Sequence, residues 1–346
     1  MFQVAKQYGW MALVAAVAAG CESSTSPPPP AESAGAARQP RFAFVVNGVA
    51  DFWKPAEAGA LQAGKEFGVD VTLVTPTGMT DQTRKLEDLL TRGIEGVAIS
   101  PITPENQADI LNRVASEALL ATHDSDAPES NRRVYVGTDN YRAGLLCGEL
   151  VRKALPDGGS VMLFVGRMDQ DNAKRRRQGC IDAILGRAPD PARNDPPGEE
   201  LASDDGKYRV LGTLTDQFDR AKAKANAEDT LTRHPDIAAM VGLFEYNPPL
   251  IVEALDRAGK LGKVQVVGFD ENAVTLQGIK DGFVAGTIVQ NPYQYGYESI
   301  RLLAELARGN EAAVPAGKFV DIAPRVIEAS NVDAFWADLK QLLEGR

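Results

Sequence analysis

"RFAFVVNGVADFWKPAEAGALQAGKEFGVDVTLVT", residues 41–75, holds two apolar runs separated by a stretch of helical character. "RFAFVVN" is continuously apolar rather than alternating, as in a strand covered on both faces. "PAEAGALQAGKEFG" reads as a helix, with Pro55 suited to a first turn and Gly68 to a stop. "VDVTLVT" is a second strand of the same kind. Strand, helix and strand in this order predict parallel pairing through a crossover helix.

The unit recurs along the chain. "TDQTRKLEDLLTRG" is a helix capped by Thr80 or Asp81, "IEGVAIS" a strand, "TPENQADILNRVASEA" a helix, and "LLATHD" and "RVYVGTD" two strands. The pattern restarts with helix 141–154, strand "SVMLFVG", helix 173–186, strand "YRVLGTL", helix 219–233 and strand "IAAMVGLF". Helix 248–259, strand "VQVVGFD", a short helix near 273–281, strand "VAGTIVQ" and helix 293–308 follow. That is too many strands for one ordinary sheet, so two similar α/β lobes with parallel sheets are expected. Residues 188–207 read as a surface excursion, and "VDAFWADLKQLLEGR" as an amphipathic helix with Phe335, Trp336, Leu339, Leu342 and Leu343 on or near one face.

The first forty residues are of another kind. "WMALVAAVAAG" is apolar but too short to span a bilayer, and it ends in small residues directly before Cys21. This predicts a signal peptide over 1–20 and a lipidated cysteine at 21. Residues 21–40 are rich in Pro, Ser and Ala and read as a solvated tether. The body is thereby expected outside the cytoplasm, in the periplasm or cell envelope, held to a membrane only through the lipid. A net charge of −10 argues against nucleic acid, and two scattered histidines and three cysteines form no metal-ligand pattern. Cys147 and Cys180 are placed on helices flanking one strand, and a disulfide and two free thiols both stay open.

Ligands of parallel sheets sit at the carboxyl ends of strands. At those positions stand Asn47, Asp51, Phe52, Trp53, Ser100, Asp124, Asn172, Arg176, Phe218, Asn247, Phe269, Asp270 and Gln290. Planar groups with paired donors or acceptors suit hydroxyls that both donate and accept, and aromatic faces suit the C–H face of a sugar ring. Phe52 and Trp53 are adjacent, which a core rarely wants and a gripping loop does. Asn172 and Asn247 are open between ligand contact and helix cap, and Gln290 between contact and hinge. No nucleophile elbow, phosphate loop or dinucleotide fingerprint occurs, so no catalytic residue and no cofactor are assigned. In "KRRRQG", residues 174–179, one arginine is expected in the cleft and its neighbours in solvent.

The pieces "FAFVVNGVADFW", "HDSDAP", "VYVGTDNYRAG", "DNAKRRRQG", "DQFDRAKA", "HPDIAAMVGLFEYN", "VVGFDEN" and "GTIVQNPYQYG" together resemble the periplasmic sugar-binding proteins of the ribose-binding type, the substrate-binding components of ABC importers. The resemblance covers roughly residues 41–328. It implies the type I periplasmic binding fold: two Rossmann-like lobes joined by three hinge crossings, with the sugar between them. Lobe boundaries of 41–138 with 291–321 and 139–290 with 322–346 follow. The resemblance also implies that Phe52 and Trp53 sandwich the sugar, that Asp124, Arg176, Phe218, Asn247, Asp270 and Gln290 are contacts, and that Phe269 is the aromatic before the acid. Ala50, Ser100 and Ser125 stand where the ribose binders carry Asn, Asn and Arg, and Asn47, Asp51 and Asp126 are candidates to replace them. The expected function is a monomeric sugar receptor serving an ABC permease; a sensor presenting sugar to a membrane receptor or kinase and a carbohydrate-active enzyme are the alternatives.

Overall fold

A computed structural model describes residues 38–344. The signal stretch, Cys21 and most of the tether lie outside the described residues, as does the side chain of Leu343. The first half runs β1 (Arg41–Val45), α1 (Trp53–Phe67), β2 (Asp70–Val74), α2 (Met79–Thr91), β3 (Gly96–Ile99), α3 (Ala108–Glu117), β4 (Leu119–His123) and β5 (Val134–Gly137). Next come α4 (Asn140–Ala154), β6 (Gly159–Val165), α5 (Asp171–Leu185), β7 (Leu201–Ala202), β8 (Tyr208–Thr215), α6 (Arg220–Arg233) and β9 (Ala239–Gly242). The chain ends with α7 (Asn247–Arg257), β10 (Gln265–Phe269), α8 (Ala273–Lys280), β11 (Gly286–Val289), α9 (Pro292–Ala307), β12 (Phe319–Asp321), β13 (Arg325–Ile327) and α10 (Val332–Glu344).

Two sheets form, ordered β12-β5-β4-β3-β1-β2 and β13-β11-β10-β9-β6-β8-β7. The first is parallel throughout, with Phe44 opposite Leu73 and Ala98. The second is parallel except at its edges, where β13 and β7 run antiparallel to β11 and β8. The continuous apolar strands have their predicted reason. Phe42, Phe44 and Val46 pack with α1 and α9 on one face. Ala43 and Val45 pack with α2 and α3 on the other. Each fully buried large apolar side chain is worth roughly 1.5–3 kcal/mol.

The chain passes between the sheets three times, at 138–139, 290–291 and 322–324. Thr138, Gln290 and Tyr295 tie the crossings together. Tyr295 Oη lies 2.6 Å from Thr138 Oγ1 and 2.9 Å from Gln290 Oε1, and Thr138 Oγ1 lies 2.7 Å from the Ile322 carbonyl. Two hydroxyl protons serve three contacts, so the network can switch its donors without moving its atoms.

Two expectations are corrected and one left open is settled. Arg177 is fully buried, not solvated: it donates to Thr213 and to the carbonyls of Asp195 and Pro196, pinning the 188–207 excursion. Cys147 and Cys180, left open between a disulfide and free thiols, lie on α4 and α5, which pack directly on each other; a Cβ on Gly144 would sit 2.1 Å from the Arg176 carbonyl. Both thiols are buried and free, and burial pushes the Cys147 thiol up. The strand read as "IAAMVGLF" ends at Gly242, which matters below.

Candidate functional site

Between the two sheets lies a cavity of about 490 Å³, within the size range of small-molecule sites. The loops after strands of both sheets supply its walls.

On the N-terminal side, Trp53 opens α1 nearly buried, edge-on to Phe52 at 4.9 Å and to His123 at 5.6 Å. His123 stacks on Phe44, and burial drives its imidazole down to about 3, so the ring is a neutral support. A polar chain crosses the floor: Asn47 Nδ2 donates to Ser100 Oγ at 3.2 Å, and Ser100 Oγ donates to Asp124 Oδ2 at 3.0 Å. Burial raises the Asp124 carboxyl to about 6, while Arg176, Ser100 and Asn172 pull it the other way.

On the C-terminal side, Arg176 is buried, 4.2 Å above the Phe269 ring, and donates to Asn140 Oδ1 and the Leu243 carbonyl. Gln290 Nε2 donates to Asp270 Oδ1 at 2.8 Å. Burial holds the Asp270 carboxyl well above the usual range. Phe218 stacks on Phe244 at 5.9 Å, leaving Phe218 about half exposed at the mouth. One bond already spans the cleft: Asn172 Nδ2 donates to Asp124 Oδ2 at 3.4 Å. Lys174 and Glu105 form an ion pair across its rim at 3.1 Å.

Backbone strain concentrates here. Asp124, Gln217, Phe218 and Asp270 line the cavity with φ between 57° and 65°. Left-handed backbone is unfavourable for such residues and persists where surrounding structure imposes it, often at ligand sites.

Of the residues expected from sequence, Asn47, Phe52, Trp53, Asp124, Arg176, Phe218, Asp270 and Gln290 stand on the wall. Three do not. Asp51 points to solvent and pairs with Lys54 at 2.7 Å, because it precedes α1 on the outer side of the turn. Phe269 lies beneath Arg176 and supports the guanidinium from behind. Asn247 is buried in the first turn of α7, accepting from the Phe244 amide and donating to Asp216, which holds the turn at 243–247. Asn172 joins the wall and does not cap α5, whose N-cap residue Gln170 lends no side-chain bond.

Sequence reasoning missed Gln170, Phe244, Glu245 and Tyr246. The strand-end rule finds the last three once β9 is stopped at Gly242. Reading the strand two residues too long moved the expected contact onto Asn247.

The site offers acceptors, amide and guanidinium donors, and flat aromatic faces from both lobes. Such a set binds a compact polyhydroxy molecule and orients it. Among the described residues no group of His, Cys, Asp and Glu is placed to hold a metal ion.

Residues 42–311 match the family described as "Periplasmic binding protein domain". The chain is similar to the ribose import binding protein RbsB of Salmonella typhimurium, 24% identical over 263 residues, covering 75% of this chain and 82% of that one. Among solved structures it is similar to GanP, a glucose-galactose binding protein from Geobacillus stearothermophilus, at TM-score 0.75 and 25% identity, covering 85% and 99% of the two chains. It is similar also to an ABC transporter solute binding protein from Burkholderia graminis in complex with D-arabinose, at TM-score 0.76 and 26% identity, covering 86% and 97%.

Proposed function

The chain belongs to the periplasmic binding protein family, and on that premise we propose that it captures a monosaccharide or similar polyhydroxy ligand between its lobes and delivers it to an ABC permease. The observation that carries this reading is one inter-lobe cavity where Asp124 and Trp53 face Arg176, Asp270 and Phe218 across a three-strand hinge. A ligand that bridges both walls is held fully only when they are closed. It therefore shifts the hinge equilibrium by its differential affinity for that state. The permease reads the closed form, and no bond of the ligand is broken.

In this reading the lobes comprise 41–138 with 291–321 and 139–290 with 322–346. Asn47, Phe52, Trp53, Asp124, Arg176, Phe218, Asp270 and Gln290 are the ligand contacts. Cys21 carries the lipid that holds the protein at the cell envelope, and the receptor works as a monomer.

Thermal unfolding of the purified protein against pentoses, hexoses, deoxysugars, amino sugars, polyols and sugar acids tests the proposal. A ligand present at 100 times its Kd stabilises by roughly 2.7 kcal/mol, on the order of 5 °C in Tm for a chain of this size. A shift in wild type that disappears in Asp270→Ala supports the reading. A panel with no shift anywhere rejects it.

A further inference from the structure

Three carboxylates line the cavity from buried positions: Asp124, Asp270 and Glu245. Their hydrogen-bond partners are neutral. Asp124 accepts from Ser100 and Asn172, Asp270 from Gln290, and Glu245 Oε1 from Asn272. The buried cation beside them, Arg176, acts on both aspartates through space while its N–H groups go to Asn140 and Leu243. Two further arginines stand on the wall nearer solvent: Arg167, paired with Asp169, and Arg220, exposed over the Tyr246 ring.

Two residues of this wall each bury a side-chain atom without any hydrogen-bond partner, Glu245 Oε2 and Gln170 Nε2. Their residues are only 8% and 1% exposed. A buried polar atom left unsatisfied is costly, so these two mark places where an occupant supplies an acceptor and a donor. The donor's charge matters, because three buried acids face a single buried guanidinium on the inner wall, the other two arginines lying nearer solvent. A hydroxyl satisfies Glu245 Oε2 but leaves the excess negative charge desolvated when the lobes close. An ammonium offers three donors and cancels part of that charge. A carboxylate-bearing ligand adds to the excess, which disfavours sugar acids.

We propose that the ligand is a polyhydroxy compound bearing a protonated amine, an amino sugar or amino polyol, with its ammonium on Glu245 Oε2 and one of its oxygens on Gln170 Nε2. This rests on the sugar-receptor reading of the same cavity and narrows its ligand class.

The test is calorimetric titration of the whole protein with matched trios: D-glucosamine, N-acetyl-D-glucosamine and D-glucose, then the galacto and manno series, with D-ribose and D-arabinose alongside. In at least one configuration the amine binds tenfold or more tighter than the neutral parent, and the uncharged N-acetyl compound loses that advantage. Glu245→Gln, which keeps an acceptor for Asn272, lowers the amine-to-neutral affinity ratio at least tenfold. If neutral sugars bind as tightly as their amines in every trio, the amine assignment falls while the sugar receptor stands. If no compound of either class binds, both fall. The wild-type ratios decide the matter even where the variant does not fold.

Discussion

Asp124→Asn probes the electrostatics of the cavity. Burial raises the folded carboxyl to about 6, against roughly 3.9 in the unfolded chain. Between these values the folded state binds more protons than the unfolded, so stability contributed by this group falls as pH rises. About two pKa units at 1.36 kcal/mol each give a loss of about 3 kcal/mol, complete above the folded pKa. This is the reverse of an ion-paired aspartate. The asparagine cannot ionise, yet its amide oxygen can serve both bonds, since Ser100 Oγ and Asn172 Nδ2 converge on the single atom Oδ2. The ligand-free variant is therefore more stable than wild type by about 3 kcal/mol at pH 7.5 and by only about 1 kcal/mol at pH 4.5. Urea unfolding of both proteins across this range, followed by tryptophan fluorescence with the slope m held in common, measures the difference. Removal of one acid also relieves Asp270, which Asp124 pushes upward, so the total slope falls further. Parallel pH curves for the two proteins, or a variant less stable at pH 7.5, would falsify the assignment of Asp124 as a strained, uncompensated acid.

Phe218→Ala, at a half-exposed ring, is expected to cost less than about 1 kcal/mol of stability but tenfold or more in ligand affinity. Trp53→Ala costs about 3–5 kcal/mol in the same unfolding assay, because that ring is also core; equal stability losses for the two would contradict this division. Gly144→Ala drives a Cβ to 2.1 Å from the Arg176 carbonyl and is expected to destabilise by about 1–3 kcal/mol or more, whereas Gly198→Ala, which meets nothing within 4 Å, shifts Tm little. Tyr295→Phe removes the hydroxyl shared by Thr138 and Gln290 and costs about 1–3 kcal/mol of stability; a change in inter-lobe distance by small-angle scattering, with and without ligand, reads its effect on the hinge.

The cavity wall was legible where the strand-end rule needed only the identity of a strand, as at Asp124, Asp270 and Gln290. It was less so where the rule needed the exact last residue, because apolar residues just past a strand look like strand: Leu243 and Phe244 continue "AMVG" without a break, and the contact went to Asn247. Arg177 and the cysteines show a second limit. Helical phase says which residues share a face, but not which neighbour that face meets, and only the close α4–α5 packing allowed by Gly144 and Gly148 brings Cys147 against Cys180.

By itself the sequence determined the class of fold. Continuous apolar runs must be covered on both faces, and repeated crossover helices supply that cover. It determined as well that polar and aromatic groups collect at strand ends. The tertiary structure decided how those groups meet: which two walls face each other, that Asp124 reaches across to Asn172, and that Glu245 Oε2 and Gln170 Nε2 are buried without partners. These are relations between residues more than forty positions apart, set by how two sheets and a hinge pack, and no local period or spacing carries them.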